Sequence, residues 1–347
     1  MRIISSVAAP NIALIKYWGK RDDLLKLPIN DSISITLDEK ALASTTTIVL
    51  GSKLKRDTFI LNGHAGPDAH ITEALLLIRR RLGKRHHIIR KPILLISDNN
   101  FPTAAGIASS ASGFAALAEA VASALGIRNR REISILARLG SGSASRSAFG
   151  GYVRWKMGKR KDGEDSFAVQ VSPRSRWPQL ADVIAISSAE RKKVSSKSGM
   201  ERTLKTSELC HCRQEHVQRA VEKVAGAIRR KDFRSLAYLT MRDSNAMHAT
   251  MLDSWPPIIY MNDVSRAVVE AVQACNEKAG SLRAAYTFDA GPNAHVITTR
   301  KEAGKIARML KGIRGVRKVI VSGVGEGSKT IPTPQKTKQL IARILHK

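Results

Sequence analysis

Asn99-Asn100-Phe101-Pro102-Thr103-Ala104-Ala105-Gly106-Ile107-Ala108-Ser109-Ser110-Ala111 runs without a break into the alanine-rich stretch 113–125 and follows the apolar run 93–97. Together these read as a buried strand, a loop of small residues and a helix. Small side chains let the backbone approach an anion closely. The free amides at a helix start, with the positive end of the helix dipole behind them, complement phosphate. An ordinary helix start with serine caps gives similar letters, and it is the density of small residues that favours the anion loop. No Gly-Lys-Ser/Thr follows, so this is not a Walker-type loop.

Upstream, 3–9 is short and apolar, 32–37 alternates and 45–50 is β-branched, which predicts strands. Asn62-Gly63 between two such segments signals a hairpin. Ile71, Leu75, Ile78 and Leu82 fall on one face of a helix. Downstream, the amphipathic helix 133–139 ends in Gly140-Ser141-Gly142-Ser143-Ala144-Ser145-Arg146-Ser147. Such Ser/Gly runs commonly serve as linkers, but between a helix and the strand 151–157 this one is longer than packing requires. Hydroxyls and glycines followed by one guanidinium form a clamp for carboxylate or phosphate.

A polar turn at 160–165 and a strand at 167–171 lead to a junction at 173–178. The second half starts with a strand at 182–187 and a second Ser/Lys loop at 195–200, followed by long helices at 213–230, 233–248 and 262–278. The strand 282–288 ends in Asp289-Ala290-Gly291-Pro292-Asn293. Asp before Gly-Pro commonly caps its own turn, yet at a strand end its carboxylate is also held rigidly. Segments 295–299, 302–311 and 318–322 read as strand, helix and strand, with a glycine turn at 323–327 and a basic helical tail. The fold class expected is α+β, with a helix-rich second half.

The 347 residues, 43% hydrophobic with 24 Gly and 12 Pro, exclude disorder and fibrous repeats and suggest two domains or one large unit. Three cysteines cannot build a disulfide framework, and the one close pair, Cys210 and Cys212, lacks the partners of a structural zinc site. No membrane span or secretory signal is expected. With 58 Lys+Arg against 29 Asp+Glu, the net charge is +29. The basic residues are dispersed and few aromatics are interleaved with them, so specific nucleic-acid binding is not expected. The same charge steers a small anionic substrate.

Near the start, Lys16 and Lys20 lie four apart beside Tyr17 and Trp18, a spacing that suits an anionic ligand or a solvated basic helix face. This run belongs to a series: APNIALIKYWGKRD (9–22), LPINDSISITL (27–37), NNFPTAAGIASSASGFAALA (99–118), GSGSASRSAFGGYVRW (140–155), VSSKSGM (194–200), HATMLDSWPPIIYMND (248–263) and YTFDAGPNA (286–294). In content and order the series resembles the mevalonate diphosphate decarboxylase family. That family belongs to the superfamily of galactokinase, homoserine kinase, mevalonate kinase and phosphomevalonate kinase. The small-residue loop alone points only to the superfamily, whereas the contexts of Lys16, Arg146 and Asp289 point to the decarboxylase branch. Two departures stand out: Gly323-Val324-Gly325-Glu326-Gly327 replaces the family's usual Gly-Pro ending, and Ser145 replaces a frequent Cys.

The resemblance implies a two-domain GHMP-kinase-like fold with a deep cleft, divided here at 1–178 and 179–347. It also implies ATP-dependent conversion of (R)-mevalonate 5-diphosphate to isopentenyl diphosphate, ADP, phosphate and carbon dioxide. By the same resemblance Asp289 accepts or orients the 3-hydroxyl proton, Lys16 lies beside that hydroxyl and Arg146 positions the substrate carboxylate. Tyr17, Lys20, Ser141, Ser143, Ser196 and Lys197 would hold the diphosphate end, with Asn11 and Met200 near the substrate. ATP would lie along Ala105, Gly106, Ser109 and Ser110, with Mg²⁺ nearest Ser110 and retaining several waters. A homodimer and a cytoplasmic location are expected, with a peroxisome-like organelle as the alternative. Two other readings are a superfamily kinase that stops after phosphorylating the 3-position, and a protein that keeps the fold but binds RNA. The joint presence of Lys16, Arg146 and Asp289 disfavours both.

Overall fold

The computed structural model describes residues 1–101, 109–188 and 193–345. The chain opens with strands β1 (Arg2–Ala8) and β2 (Asn11–Ile15), the short pair β3 (Lys20–Asp22) and β4 (Leu27–Pro28), then β5 (Ser32–Thr36) and β6 (Ser44–Leu50). A hairpin of β7 (Thr58–Leu61) and β8 (His64–Ala65) precedes helix α1 (Ala69–Leu82) and strand β9 (Leu94–Asn99). Helices α2 (Ser109–Ala124), α3 (Arg130–Gly140) and the single turn α4 (Ala144–Ser147) lead to β10 (Tyr152–Trp155) and β11 (Ala168–Ser172). The second half begins with β12 (Leu180–Ile186), followed by α5 (Ser196–Thr206), α6 (Leu209–Arg230), α7 (Phe233–Leu252) and α8 (Asp263–Lys278). It closes with β13 (Ala284–Phe288), β14 (Ala294–Thr299), α9 (Arg300–Lys311), β15 (Lys318–Gly323), β16 (Lys329–Ile331) and α10 (Gln335–Leu345).

Three main sheets carry the fold. The first has the order β16-β1-β6-β9-β7-β8, the second β11-β10-β5-β2 and the third β13-β14-β12-β15. The two-residue periodicity of the strands decides which layer each residue joins. On β6 and β9, Ile48, Leu50 and Leu95 enter the core under α1, α2 and α3, whereas Val49, Leu94 and Ile96 face Ile341 of α10. Ala115, Ala116 and Ala118 are wholly buried in that first core, where small side chains let α2 lie close to β1 and β6. The second sheet, through Ile12, Leu14, Ile33 and Ile35, packs on Val217, Val221, Val224 and Ile228 of α6. On β12, Ile184 joins this core while its neighbour Val183 faces α8 and α9 on the far side of the third sheet.

The α+β class and the Asn62-Gly63 hairpin are as expected; both turn residues have positive φ, 49° and 80°. The alternating strand expected at 32–37 forms, with Ile33 and Ile35 packed in the core with α6 while Ser32 accepts from Arg146 and Thr36 donates to the Phe149 carbonyl. One local expectation is corrected. The 195–200 segment is not a loop: Ser195 accepts from the Ser198 amide and caps α5, which begins at Ser196. The chain also returns at its end. β16 pairs with β1, and α10 covers the first sheet, so the last residues belong structurally with the first half. The glycine turn at 323–327 makes this return, and a Cβ on Gly325 would lie 1.9 Å from the Leu37 carbonyl oxygen. No described helix is long and apolar enough to cross a membrane.

Candidate active site

Lys16 leaves the end of β2 and Asp289 the end of β13, strands of two different sheets, and their side chains meet at 2.8 Å. Lys16 is 1% exposed, whereas the Asp289 side chain is 36% exposed toward the cleft. The basic helix face allowed by the sequence is therefore ruled out for Lys16 and Lys20. Each lies at the edge of a strand, and the bend between them turns both toward one cleft.

Helix α7 holds this pair by the backbone. Asp243 accepts from the Lys16 amide at 2.6 Å and from Arg213 at 3.0 Å, while Arg213 and Asn30 both donate to the Lys16 carbonyl. The next residue, Ser244, accepts from the Phe288 amide, one position before Asp289. Two consecutive positions of one helix thus fix both catalytic candidates. Asp243→Asn leaves the Arg213 cation buried without its carboxylate, and breaking such a pair costs roughly 3–5 kcal/mol. Chemical denaturation is expected to read a loss of that order, and an unchanged midpoint would remove Asp243 from this role.

Arg146, on α4, is 3% exposed. Its Nε donates to Asn11 and its Nη1 to Ser32, and Asn11 is itself fixed by donating to Ser143 and Ser147. Burial pushes the guanidinium down to about 10, with the nearby Asp289 charge opposing, so it stays cationic at neutral pH. Among the described residues no carboxylate forms an ion pair with it. A buried, oriented cation of this kind is prepared for an anion from outside.

Tyr17 packs edge-on against Trp155 at 4.8 Å, and its hydroxyl is buried in the cleft wall without a partner among the described residues. Burial pushes that hydroxyl well above the ordinary tyrosine range, so it is a donor awaiting an acceptor. Further along the wall, Lys20 and Lys197 both grip Asp23, the latter at 2.7 Å, with Lys26 beside them. Burial opposes ionisation of Asp23, but the two ammonium groups win and hold it down at about 2. Burial lowers Lys20 from its ordinary value despite that partner. Lys197 is half exposed on the first turn of α5, close to Ser196.

The hydroxyls of Ser110, Ser141 and Ser143 form a chain with separations of 3.5 and 3.4 Å. Gly142, between the last two, cannot carry a side chain, because its Cβ would lie 2.7 Å from the Trp155 ring. Met200 is buried under the cleft with Trp18, Met247 and Tyr260. Ser109 and Ser110 start α2 and border a recess of about 200 Å³, where Asn62, Ser97 and Asn99 supply polar groups and Leu61, Phe114 and Leu117 apolar faces. Ala105 and Gly106 lie outside the described residues.

Asp243, Arg213, Asn30 and Ser32 were not singled out from the sequence, since each acts through a contact with a residue 14 or more positions away, and neither were Asp23 and Lys26, which also meet distant partners in Lys197 and Glu73. His248 is another. It lies inside a family-like run, but only the structure sets it edge-on against Phe288, half-buried, with its Nε2 buried and unpartnered among the described residues. Burial, reinforced by the Lys16 charge, lowers it from 6.5 to about 4. The folded protein therefore keeps it neutral where the unfolded chain binds a proton. Stability is expected to fall as pH drops from about 6.5 toward about 4, by up to about 1.4 kcal/mol per pH unit. Denaturant unfolding across that window should flatten in His248→Gln, and an equal slope in both proteins would sink the assignment.

Residues 8–168 match the family model described as the diphosphomevalonate decarboxylase-like N-terminal domain, and residues 182–343 the mevalonate 5-diphosphate decarboxylase C-terminal domain. The chain is 45% identical over 325 residues to diphosphomevalonate decarboxylase mvd1 of Aspergillus fumigatus, covering 90% of this chain and 80% of that protein. Among solved structures it is similar to mevalonate diphosphate decarboxylase from Staphylococcus aureus, with a TM-score of 0.88, 35% identity and coverage of 95% and 98%. It is likewise similar to a structure described as MDDEF in complex with MVAPP, AMPPCP and magnesium, at TM-score 0.85, 35% identity and coverage of 96% and 100%.

Proposed function

This chain belongs to the mevalonate diphosphate decarboxylase family, and from that premise we infer that Asp289, Lys16 and Arg146 carry the ATP-dependent decarboxylation of (R)-mevalonate 5-diphosphate to isopentenyl diphosphate. The observation that carries this reading is the buried Lys16–Asp289 pair, held by α7 in the same cleft as a buried Arg146 that has no carboxylate of its own.

Each role follows from position. A tertiary alcohol is a weak nucleophile, and the cleft-facing carboxylate of Asp289 orients it and takes its proton as the phosphoryl group arrives at the 3-oxygen. Lys16, at 2.8 Å, keeps that carboxylate aimed and lies beside the oxygen where charge changes. Arg146 holds the substrate carboxylate without a direct route for neutralising it, because Asn11 and Ser32 already fix its Nε and Nη1. When the C3–O bond breaks and phosphate leaves, the electrons of the bond to the carboxylate form the double bond and carbon dioxide departs. The orphaned Tyr17 hydroxyl, Lys20, Lys197, Ser141, Ser143 and Ser196 meet the diphosphate, with Asn11 and Met200 shaping the substrate's surroundings.

The residues around α2 fit a nucleotide. Ser109 and Ser110 supply hydroxyls at a helix N-terminus, complementary to phosphate, and the adjoining recess matches a flat heterocycle with polar edges. Among the described residues no group of three His, Cys, Asp or Glu side chains is placed to hold a metal. A magnesium ion would be held chiefly by phosphate oxygens and water, with Ser110 at its side. Magnesium-ATP supplies the phosphoryl group and offsets its charge.

The parts of the chain that build the site are 1–178 and 179–347, with β16 and α10 assigned to the second by chain order only. A homodimer and a cytoplasmic location are further readings that the family resemblance supports; sedimentation tests the first and fractionation the second. The activity itself is tested by incubating the protein with (R)-mevalonate 5-diphosphate, ATP and Mg²⁺ and following products by mass spectrometry. Isopentenyl diphosphate with equal ADP, phosphate and carbon dioxide is expected. A persistent 3-phosphorylated product would favour a kinase, and no turnover would overturn the reading.

A further inference from the structure

A second recess, of about 560 Å³, runs between α6 and α7 and shares no lining residue with the active-site cleft. The two helices form an antiparallel hairpin joined only by Lys231, left-handed at φ 58°, and the cap Asp232. This connection sets the start of α6 beside the end of α7 and so sorts the lining chemically. Leu209, Cys212, Ala246 and Ala249 fall toward one end and Arg219, Lys223 and Arg242 toward the other.

Among the described residues these three cations have no carboxylate partner. Arg219 meets only His216, and Arg242 meets only the hydroxyl and ring of Tyr238. The one acidic side chain in the lining, Asp243, is committed to Arg213 and to the Lys16 amide. Arg213 also lines the groove. It is only 7% exposed, and its Nε has no acceptor among the described residues.

A groove with a cationic end, an apolar end and an unsatisfied buried donor matches a ligand with the opposite polarity along its length. We propose that the α6–α7 groove binds an amphipathic phosphate ester, its anionic head among Arg219, Lys223 and Arg242 and its hydrocarbon chain along Cys212, Ala246 and Ala249. Arg213 and Asp243, which line the groove between its two ends, together hold the Lys16 peptide.

The test is calorimetric titration of the full chain with n-octyl phosphate below its micellar concentration, alongside inorganic phosphate and n-octanol. Saturable binding is expected, at least about tenfold tighter than for either half-ligand. The paired substitution Lys223→Gln with Arg242→Gln, and separately Ala249→Trp at an exposed position, should each weaken it by about tenfold. Lys20→Gln, in the cleft, should leave it unchanged. Loss of binding in Lys20→Gln would place the ligand in the cleft and overturn the proposal. So would parental affinity in both groove variants, or affinity no better than that of inorganic phosphate. If Ala249→Trp instead lowers the sedimenting mass of the ligand-free protein, the groove is covered by a second copy and the proposal fails. The binding readout does not depend on the reaction assigned to the cleft.

Discussion

Asp289→Asn is expected to cut kcat by about 10²- to 10⁴-fold, the usual range for losing a positioned general base, while ATP binding stays nearly intact. The reason is placement. Asp289 stands at the end of β13 against Lys16, whereas the recess proposed for the nucleotide is lined from α2, β7 and β9. Amide for carboxylate keeps the size and removes the proton acceptor. It also leaves the 1%-exposed Lys16 cation without its partner, so thermal unfolding must accompany the kinetics. Single-turnover assays with ATP-binding calorimetry separate the effects. A variant that loses ATP affinity but turns over normally once saturated would show that Asp289 does not serve the reacting centre.

Arg146→Gln should be nearly as damaging, lowering turnover by about 10²- to 10³-fold, as expected for removing one preorganised electrostatic partner from a water-poor site. Gln retains the chance of bonding Asn11 or Ser32 but not the charge. Because the guanidinium is already buried and aligned by those two residues, the protein expends no reorganisation when the substrate carboxylate arrives. The loss should therefore fall on kcat and on affinity for mevalonate 5-diphosphate, with ATP affinity unchanged. Normal kinetics would dismiss the carboxylate-clamp role.

The +29 charge acquires a physical sense in this setting. Both substrates are polyanions, and a positive field raises their encounter rate. Lys20 and Lys197, proposed to meet the diphosphate, are nonetheless partly neutralised by Asp23, so the field and the local contacts are separate contributions.

Much of this was legible in the letters because the information was local. Asn62-Gly63 declares a hairpin, the alanine-rich stretch declares a helix, and the β-branched run 45–50 declares a strand. The series of family-like runs singled out Lys16, Arg146 and Asp289, which the structure brings to one cleft. Where local signals were ambiguous, they misled. Ser195-Ser196-Lys197-Ser198-Gly199 has the composition of a loop, and only the Ser195 cap shows that it starts a helix. The four-residue spacing of Lys16 and Lys20 fits a helix that the chain does not form.

The residues that hold the site in place were decided by tertiary structure alone. Asp243 is 227 positions from Lys16 and Arg213 is 197, and no pattern along the chain links a helix acid to a strand amide so far away. Sequence determines which groups are present and which local shapes they prefer. Which buried donor meets which acceptor depends on the packing of three sheets around α6 and α7, because the cost of leaving a polar group unsatisfied is set by its final surroundings rather than by its neighbours in the chain.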